Sequence, residues 1–218
     1  MRPDTSSCTA RAVDAASLII CRGQSGAIEV LVGRRRSRAS FAPSVYVFPG
    51  GMLESADRKL SPPIPFNADK LGSAVTNKIH ALALTAIRET FEETGLLLGQ
   101  NGEFAKVVQP TWEQCRHNGM VPAPHLLKYL GRAITPAAAP KRFHARFFVA
   151  EFEHFSGTLI GNGELLDLRW VPLARYSDLP MLDVTEFMLE ELARFLQGPR
   201  QKTPLMSYRR GKTLIRYE

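Results

Sequence analysis

The stretch AIRETFEETGLLLG, residues 86–99, sets three glutamates within five positions. A helix turns about 100° per residue, so Glu89, Glu92 and Glu93 share one arc of roughly 100°. The neighbouring arc holds Ile79, Ala83, Ala86, Ile87 and Thr90. Such a charge pattern gains an isolated helix nothing. Glu89 and Glu93 form an i,i+4 like-charge pair, unfavourable by about 0.2–0.5 kcal/mol. Both also lie near the helix C-terminus, where the dipole disfavours anions. Two readings follow: a solvated acidic face, or a site for a cation. Hard carboxylate oxygens at this density suit Mg2+ or Mn2+. Arg88, four residues before Glu92, can brace one carboxylate and leave others free for metal.

A helix alone does not make a site, and the flanking chain supplies the rest of the frame. AASLIICR and AIEVLVGRR are β-branched-rich runs separated by GQSG, which predicts a hairpin. SVYVFPGG predicts a third short strand ended by a Pro-Gly-Gly turn. Residues 58–76 contain three prolines and predict a loop with a short helix near its end. Apolar residues at three- and four-residue spacing predict a helix over 77–94, with Gly95 as its C-terminal stop. The proline-rich segment near 135–140 predicts another loop. Residues 142–152 and 165–173 predict strands, and 183–198 an amphipathic helix stopped by Gly198. The Leu-rich face of that helix reads as core or dimer surface. Strands that cluster near hairpins, without regular βαβ alternation, predict a mixed α/β domain.

The chain has 218 residues, enough for one sizeable core. With 44% apolar and 22% charged residues it has the composition of a soluble globular protein. No apolar run approaches the roughly 18 residues of a membrane span. The run Leu18 to Cys21 is too short for a secretory signal and reads as a strand. Cys8, Cys21 and Cys115 are odd in number and widely spaced, which predicts a reducing, cytoplasmic setting without disulfides or zinc. A formal charge of +7 suits a polyanionic partner. The basic residues cluster in GRRRSR, 33–38, and in the tail 199–218; such blocks read first as solvated surface. No dense aromatic-basic stacking motif favours nucleic acid.

FPGGMLESAD followed by RETFEETGL resembles the signature of the Nudix hydrolases, G-x5-E-x7-R-E-U-x-E-E-x-G-U, where U is bulky and apolar. Gly51 fills the first glycine; Arg88, Glu89, Glu92, Glu93, Gly95 and Leu96 fill the second half, and Thr90 stands at an apolar position. Two departures stand out. Asp57 replaces the first glutamate. The seven-residue spacer before Arg88 is thirty residues long, 58–87, so twenty-three are extra. Closure entropy grows slowly with loop length, so an insertion there is tolerable. A split box of this kind resembles the peroxisomal coenzyme A diphosphatase subgroup and its bacterial relatives. The final residues LIRYE carry no Ser-Lys-Leu address.

The resemblance implies an α/β/α sandwich around a mixed sheet. It reads 1–218 as a single Nudix domain with residues 58–80 inserted within the box. It implies a Mg2+- or Mn2+-dependent diphosphatase acting on a nucleoside diphosphate linked to a group X, with coenzyme A or acyl-coenzyme A the leading candidates. ADP-sugar, NADH or dinucleotide substrates are the alternative, and a non-catalytic nucleotide-binding regulator is the alternative of another class. Degenerate regulators lose box glutamates, and this chain keeps all three. The implied metal ligands are Glu89, Glu92, Glu93 and the Gly51 carbonyl. Arg88, Glu92, Glu93 and Glu164 are the implied catalytic set; Glu164 follows a Gly-Asn-Gly turn, and its competing reading is a plain strand-edge residue. For substrate, Arg34, Arg35, Phe48, Arg142 and Arg146 are the candidates. LVGRR matches the start of the subgroup's upstream motif with Arg35, while Ser40 and Ser44 replace its second Arg and its Gly. Arg142 and Arg146 read equally as surface arginines over core aromatics, and His144 between them as structural. Many relatives pair, so a homodimer is compatible.

Overall fold

The computed structural model describes residues 11–24, 26–38, 42–60, 73–198 and 200–218. Strand β1 (Val13–Arg22) turns back into β2 (Glu29–Arg35), antiparallel with Cys21 opposite Val30. This is the hairpin expected from the two β-branched runs. The expected third strand is two short pieces, β3 (Tyr46–Val47) on β2 and β4 (Gly50–Met52) on β1, because Pro49 lacks the N–H to continue one ladder. A five-residue helix α1 (Ser55–Lys59) follows, and its last two residues fall in the expected 58–76 loop. Residues 61–72, the body of the expected insertion, lie outside the described residues. The long helix α2 (Ser73–Thr94) begins four residues earlier than its apolar spacing indicated, so its first turns occupy the end of the expected 58–80 insertion.

Beyond Gly95 the chain forms β5 (Leu96–Asn101), α3 (Pro110–His117), β6 (Met120–Pro122), β7 (Lys128–Ile134) and β8 (Phe143–Glu151). Then come β9 (Phe155–Gly157), β10 (Leu165–Pro172), α4 (Asp183–Leu196), β11 (Pro204–Arg209) and β12 (Lys212–Tyr217). The main sheet runs β10-β2-β1-β8-β7-β11-β12, with β3 and β4 attached to β2 and β1. It is mixed: β1 pairs β8 in parallel from Val13–Phe143 to Cys21–Glu151, β11 pairs β7 in parallel, and the other pairings are antiparallel. A small antiparallel sheet, β6-β5-β9, stands beside it. The C-terminal segment is thus no tail: β11 and β12 extend the main sheet.

Side chains alternate across a strand, and β1 shows what that achieves. Ala16, Leu18 and Ile20 pack against Leu82, Ala83, Ala86 and Ile87 of α2. Ile19 and Cys21 face the other way, into a second core with Phe187, Met188, Leu189 and Leu192 of α4. The sheet therefore lies between two helical layers, as the sequence reading expected. Each fully buried Leu or Ile in these layers contributes about 1.5–3 kcal/mol of transfer free energy. Among the described residues no helix is long and apolar enough to cross a membrane.

Candidate active site

Gly95 ends α2 in the left-handed region (φ +75), and its N–H donates to Phe91 O at 2.9 Å. A side chain would strain that turn, so the stop is set by the residue type. The last two turns of α2 carry the glutamates, and β4 supplies the wall they face. A Cβ added at Gly51 would lie 2.4 Å from the Glu89 carboxyl. Gly51 is therefore a cradle that only a bare backbone leaves open. Gly50 N–H donates to Glu93 Oε2 at 2.9 Å.

Burial raises the Glu93 carboxyl to about 8, against the Gly50 hydrogen bond, and the charges of Glu89 and Glu164 push the same way. Burial raises Glu89 to about 7; Arg88 opposes this, and Glu92 and Glu164 add to it. Both carboxyls, Glu93 buried and Glu89 partly buried, are thus pushed toward their neutral forms by burial and by the acids around them.

Arg88 is 1% exposed and is the hub beneath this pair. Its Nε and Nη2 donate to the two oxygens of Asp57 at 2.9 and 3.0 Å, a bidentate fork. Nη2 also reaches Met52 O at 3.0 Å, and Nη1 reaches Glu89 at 2.9 Å and Glu92 at 3.2 Å. Burial works against the guanidinium charge, but Asp57, Glu89 and Glu92 outweigh it and hold the proton more firmly than usual. Asp57 is loaded further by Thr85 Oγ1 at 2.9 Å, Trp112 Nε1 at 3.1 Å and the Glu54 N–H at 3.1 Å. The shorter carboxylate thus bonds Arg88 across the thirty-residue spacer, and α1 delivers it.

Glu92 stands apart from its neighbours. One oxygen accepts from Gln109 Nε2 at 3.0 Å and from Thr111 Oγ1, and the other from Arg88. Gln109 is the N-cap of α3, its side chain also accepting the Trp112 N–H. Glu92 therefore ties α3 to α2. Sequence reasoning missed Thr85, Gln109, Thr111 and Trp112; the one local signal was Pro110, which suits a first helical turn. Thr90, at the apolar position, is fully buried, and its hydroxyl has no partner among the described residues.

The other candidates separate. Glu164 is exposed, its N–H taken by Asn162 Oδ1 at 2.8 Å, and its charge reaches Glu89 and Glu93. Arg36, read in the sequence only as part of the basic block 33–38, donates to Gly163 O and anchors that loop. Arg35 is partly buried, and its charge favours the ionised form of Glu93. Arg34 alternates to the other side, near Tyr46 and Asp167. Phe48 is not at the glutamates: it is 4% exposed and packs edge-on against Phe147 in the α4-side core. Arg146 is buried and held by Asp14 at 2.7 Å, away from the glutamate end of α2. Arg142 Nε donates to Thr135 O at 3.5 Å. His144 accepts from Arg132 at 3.0 Å, the structural role expected of it. Ser40 lies outside the described residues; Ser44 is exposed with φ +61.

Among the described residues no three His, Cys, Asp or Glu side chains converge as a ready metal-ligand group. The Gly51 cradle and the crowded carboxyls of Glu89 and Glu93 nonetheless fit a divalent cation, since both offer hard oxygens.

Comparison with known proteins decides the family. A Nudix hydrolase of Alicyclobacillus acidocaldarius, solved by crystallography, is 30% identical over 83% of this chain and 90% of its own, with a TM-score of 0.64. The chain belongs to the Nudix hydrolases. It is 26% identical over 154 residues to putative nudix hydrolase 7 of Caenorhabditis elegans, and 34% identical over 121 residues to acyl-coenzyme A diphosphatase NUDT19 of Gallus gallus. These matches cover 65% and 39% of this Nudix chain, and it spans 46% and 32% of those relatives. No family model matches it.

Proposed function

We propose that this Nudix hydrolase cleaves the diphosphate of a nucleoside diphosphate linked to X, with coenzyme A or acyl-coenzyme A as the substrate it suits best. The observation that carries the reading is the Glu89–Glu93 pair crowded against the bare backbone of Gly50–Gly51. The similarity to an acyl-coenzyme A diphosphatase and the partial LVGRR match support the substrate class. Glu89 and Glu93, with the Gly51 carbonyl, would hold Mg2+ or Mn2+; when bound, the cation supplies charge neutralisation at the diphosphate and acidifies water.

The chain's own residues do the rest. Arg88 fixes Glu89 through Nη1 while Asp57 fixes Arg88. Arg35 presents a guanidinium suited to the diphosphate oxygens. Glu164, on the loop anchored by Arg36, accepts the proton of the attacking water. Glu92 positions: both its oxygens are engaged by α3 and Arg88, so its place in the metal set gives way to Glu89 and Glu93.

The test incubates the protein and Mg2+ with coenzyme A, acyl-coenzyme A, ADP-ribose, NADH and diadenosine polyphosphates, and identifies products by mass. Release of 3′,5′-ADP and a phosphopantetheine is the expected result. AMP from another member would keep the chemistry and reject the substrate. No product with either metal would point to a nucleotide-binding protein without turnover.

A further inference from the structure

A cavity of about 430 Å3 lies at the end of β4 away from the glutamates, lined by Arg11, Asp14, Leu53, Arg58, Lys78 and His144 among others. Lys78 and Glu89 are eleven residues apart on α2, close to three turns, so they share one face about 16 Å apart along the axis. Lys78 meets Asp14 at 2.7 Å, as Glu89 meets Gly51; Asp14 and Gly51 sit on the same β1–β4 seam, where Ala15 opposes Met52. The seam between them is the three-residue strand β4, about 10 Å long.

The charge of this cavity is not balanced from within. Its one carboxylate, Asp14, is already matched twice, by Lys78 and by the buried Arg146 at 2.7 Å. Arg146 is 7% exposed, and its Nε has no partner among the described residues. Arg11 and Arg58 form no ion pair among the described residues and add two further charges at the rim. His144 accepts from Arg132, which leaves it neutral with Nδ1 as a donor and adds no charge. Two guanidinium forks and one ammonium around a single satisfied carboxylate match the oxygens and charge of a phosphomonoester, about −1.5 to −2 at neutral pH.

We propose that this cavity is a second phosphate site, taking a phosphomonoester dianion apart from the diphosphate handled by the glutamates. The dianion has two sources: a further phosphate carried by the substrate itself, or a free phosphate compound. Only the first rests on the proposed function.

Inorganic phosphate titrated into the full chain, followed by backbone amide NMR, tests the site without turnover. The site predicts saturable shifts at Leu53, Arg58, Lys78 and His144, with affinity at least tenfold weaker in an Arg11→Ala, Arg58→Ala double variant. That variant breaks no described ion pair, and its spectrum reports whether it folds. No shift at these residues, or equal affinity in the variant, overturns the proposal. KM for coenzyme A and for dephospho-coenzyme A then separates the sources. A KM rise in the variant for coenzyme A alone assigns the site to the substrate's own phosphate. Unchanged KM for both, with phosphate binding retained by the parent chain, assigns it to free phosphate. An equal rise for both shows a general surface charge and overturns the site. If neither compound is hydrolysed, the proposed substrate fails while the titration still decides the cavity.

Discussion

Gly51 and Glu89 are locked together: the one has no side chain because the other fills the space. Gly51 does not have a left-handed backbone, so alanine there tests the contact and not backbone strain. Gly51→Ala is expected to displace Glu89 and lower kcat on the order of a hundredfold, the cost of misplacing a reacting group by about 1 Å. Its denaturation midpoint should change far less than its rate; an unchanged rate would contradict the cradle. Asp57 makes a different prediction. Asp57→Ala leaves Arg88 buried without its bidentate partner and should cost about 3–5 kcal/mol in urea denaturation. A cost below ~1 kcal/mol would show that Glu89 and Glu92, with Glu54 3.7 Å from Arg88 Nη1, suffice. The glutamates and Arg88 were legible because their spacing is local to one helix. The pairing of Asp57 with Thr85 and Trp112 was not: these contacts join α1, α2 and α3 across up to 55 positions of sequence, and no periodicity records them.

Elements with a strong apolar period were read well, as β1, β2, β8, β10, α2 and α4 show. Short elements were not. α1 is five residues long, and β6 and β9 are three, too short for a period to register; β3 and β4 read as one strand. The strand β8 offers a test of its own. Burial, then Arg146 and Arg132, lower His144 to about 4 from an ordinary 6.5, while Asp14 opposes them and Lys78 assists. Between those values the unfolded chain binds more protons than the folded one, so stability falls as pH drops from about 6.5 to about 4. His144→Gln removes that penalty. The stability difference between parent and variant should therefore shift in favour of the variant from pH 7.5 to pH 5, measured by urea denaturation at both. Parallel pH profiles would contradict the neutral, half-buried state of His144.

At the scale of the whole molecule, the sheet draws strands from both ends of the described chain, and the basic C-terminus is part of it. A lysine- and arginine-rich composition hid β11 and β12, since charge describes the exposed face and not the pairing. Glu191, fully buried on α4, accepts from Arg200 at 2.7 Å, from Tyr217 at 2.9 Å and from Arg194, which pins the hairpin to the helix. Truncation after Lys202 removes Tyr217 and the buried Leu205 and Met206, exposes the β7 edge and should lower stability by ~3 kcal/mol or more, about 6–12 °C in Tm for a chain of this size. Retention of the parent Tm would show the hairpin to be dispensable. The layered sheet serves one end: it presents β4 to the last turns of α2, so that the carboxyls of Glu89 and Glu93 meet a bare backbone. The measurement that tests this most directly is turnover of coenzyme A with saturating Mg2+ by the parent chain and by Glu93→Gln. The account predicts release of 3′,5′-ADP by the parent, and a rate lower by at least about a hundredfold in a variant that keeps its fold. Hydrolysis by Glu93→Gln at the parent rate would contradict it.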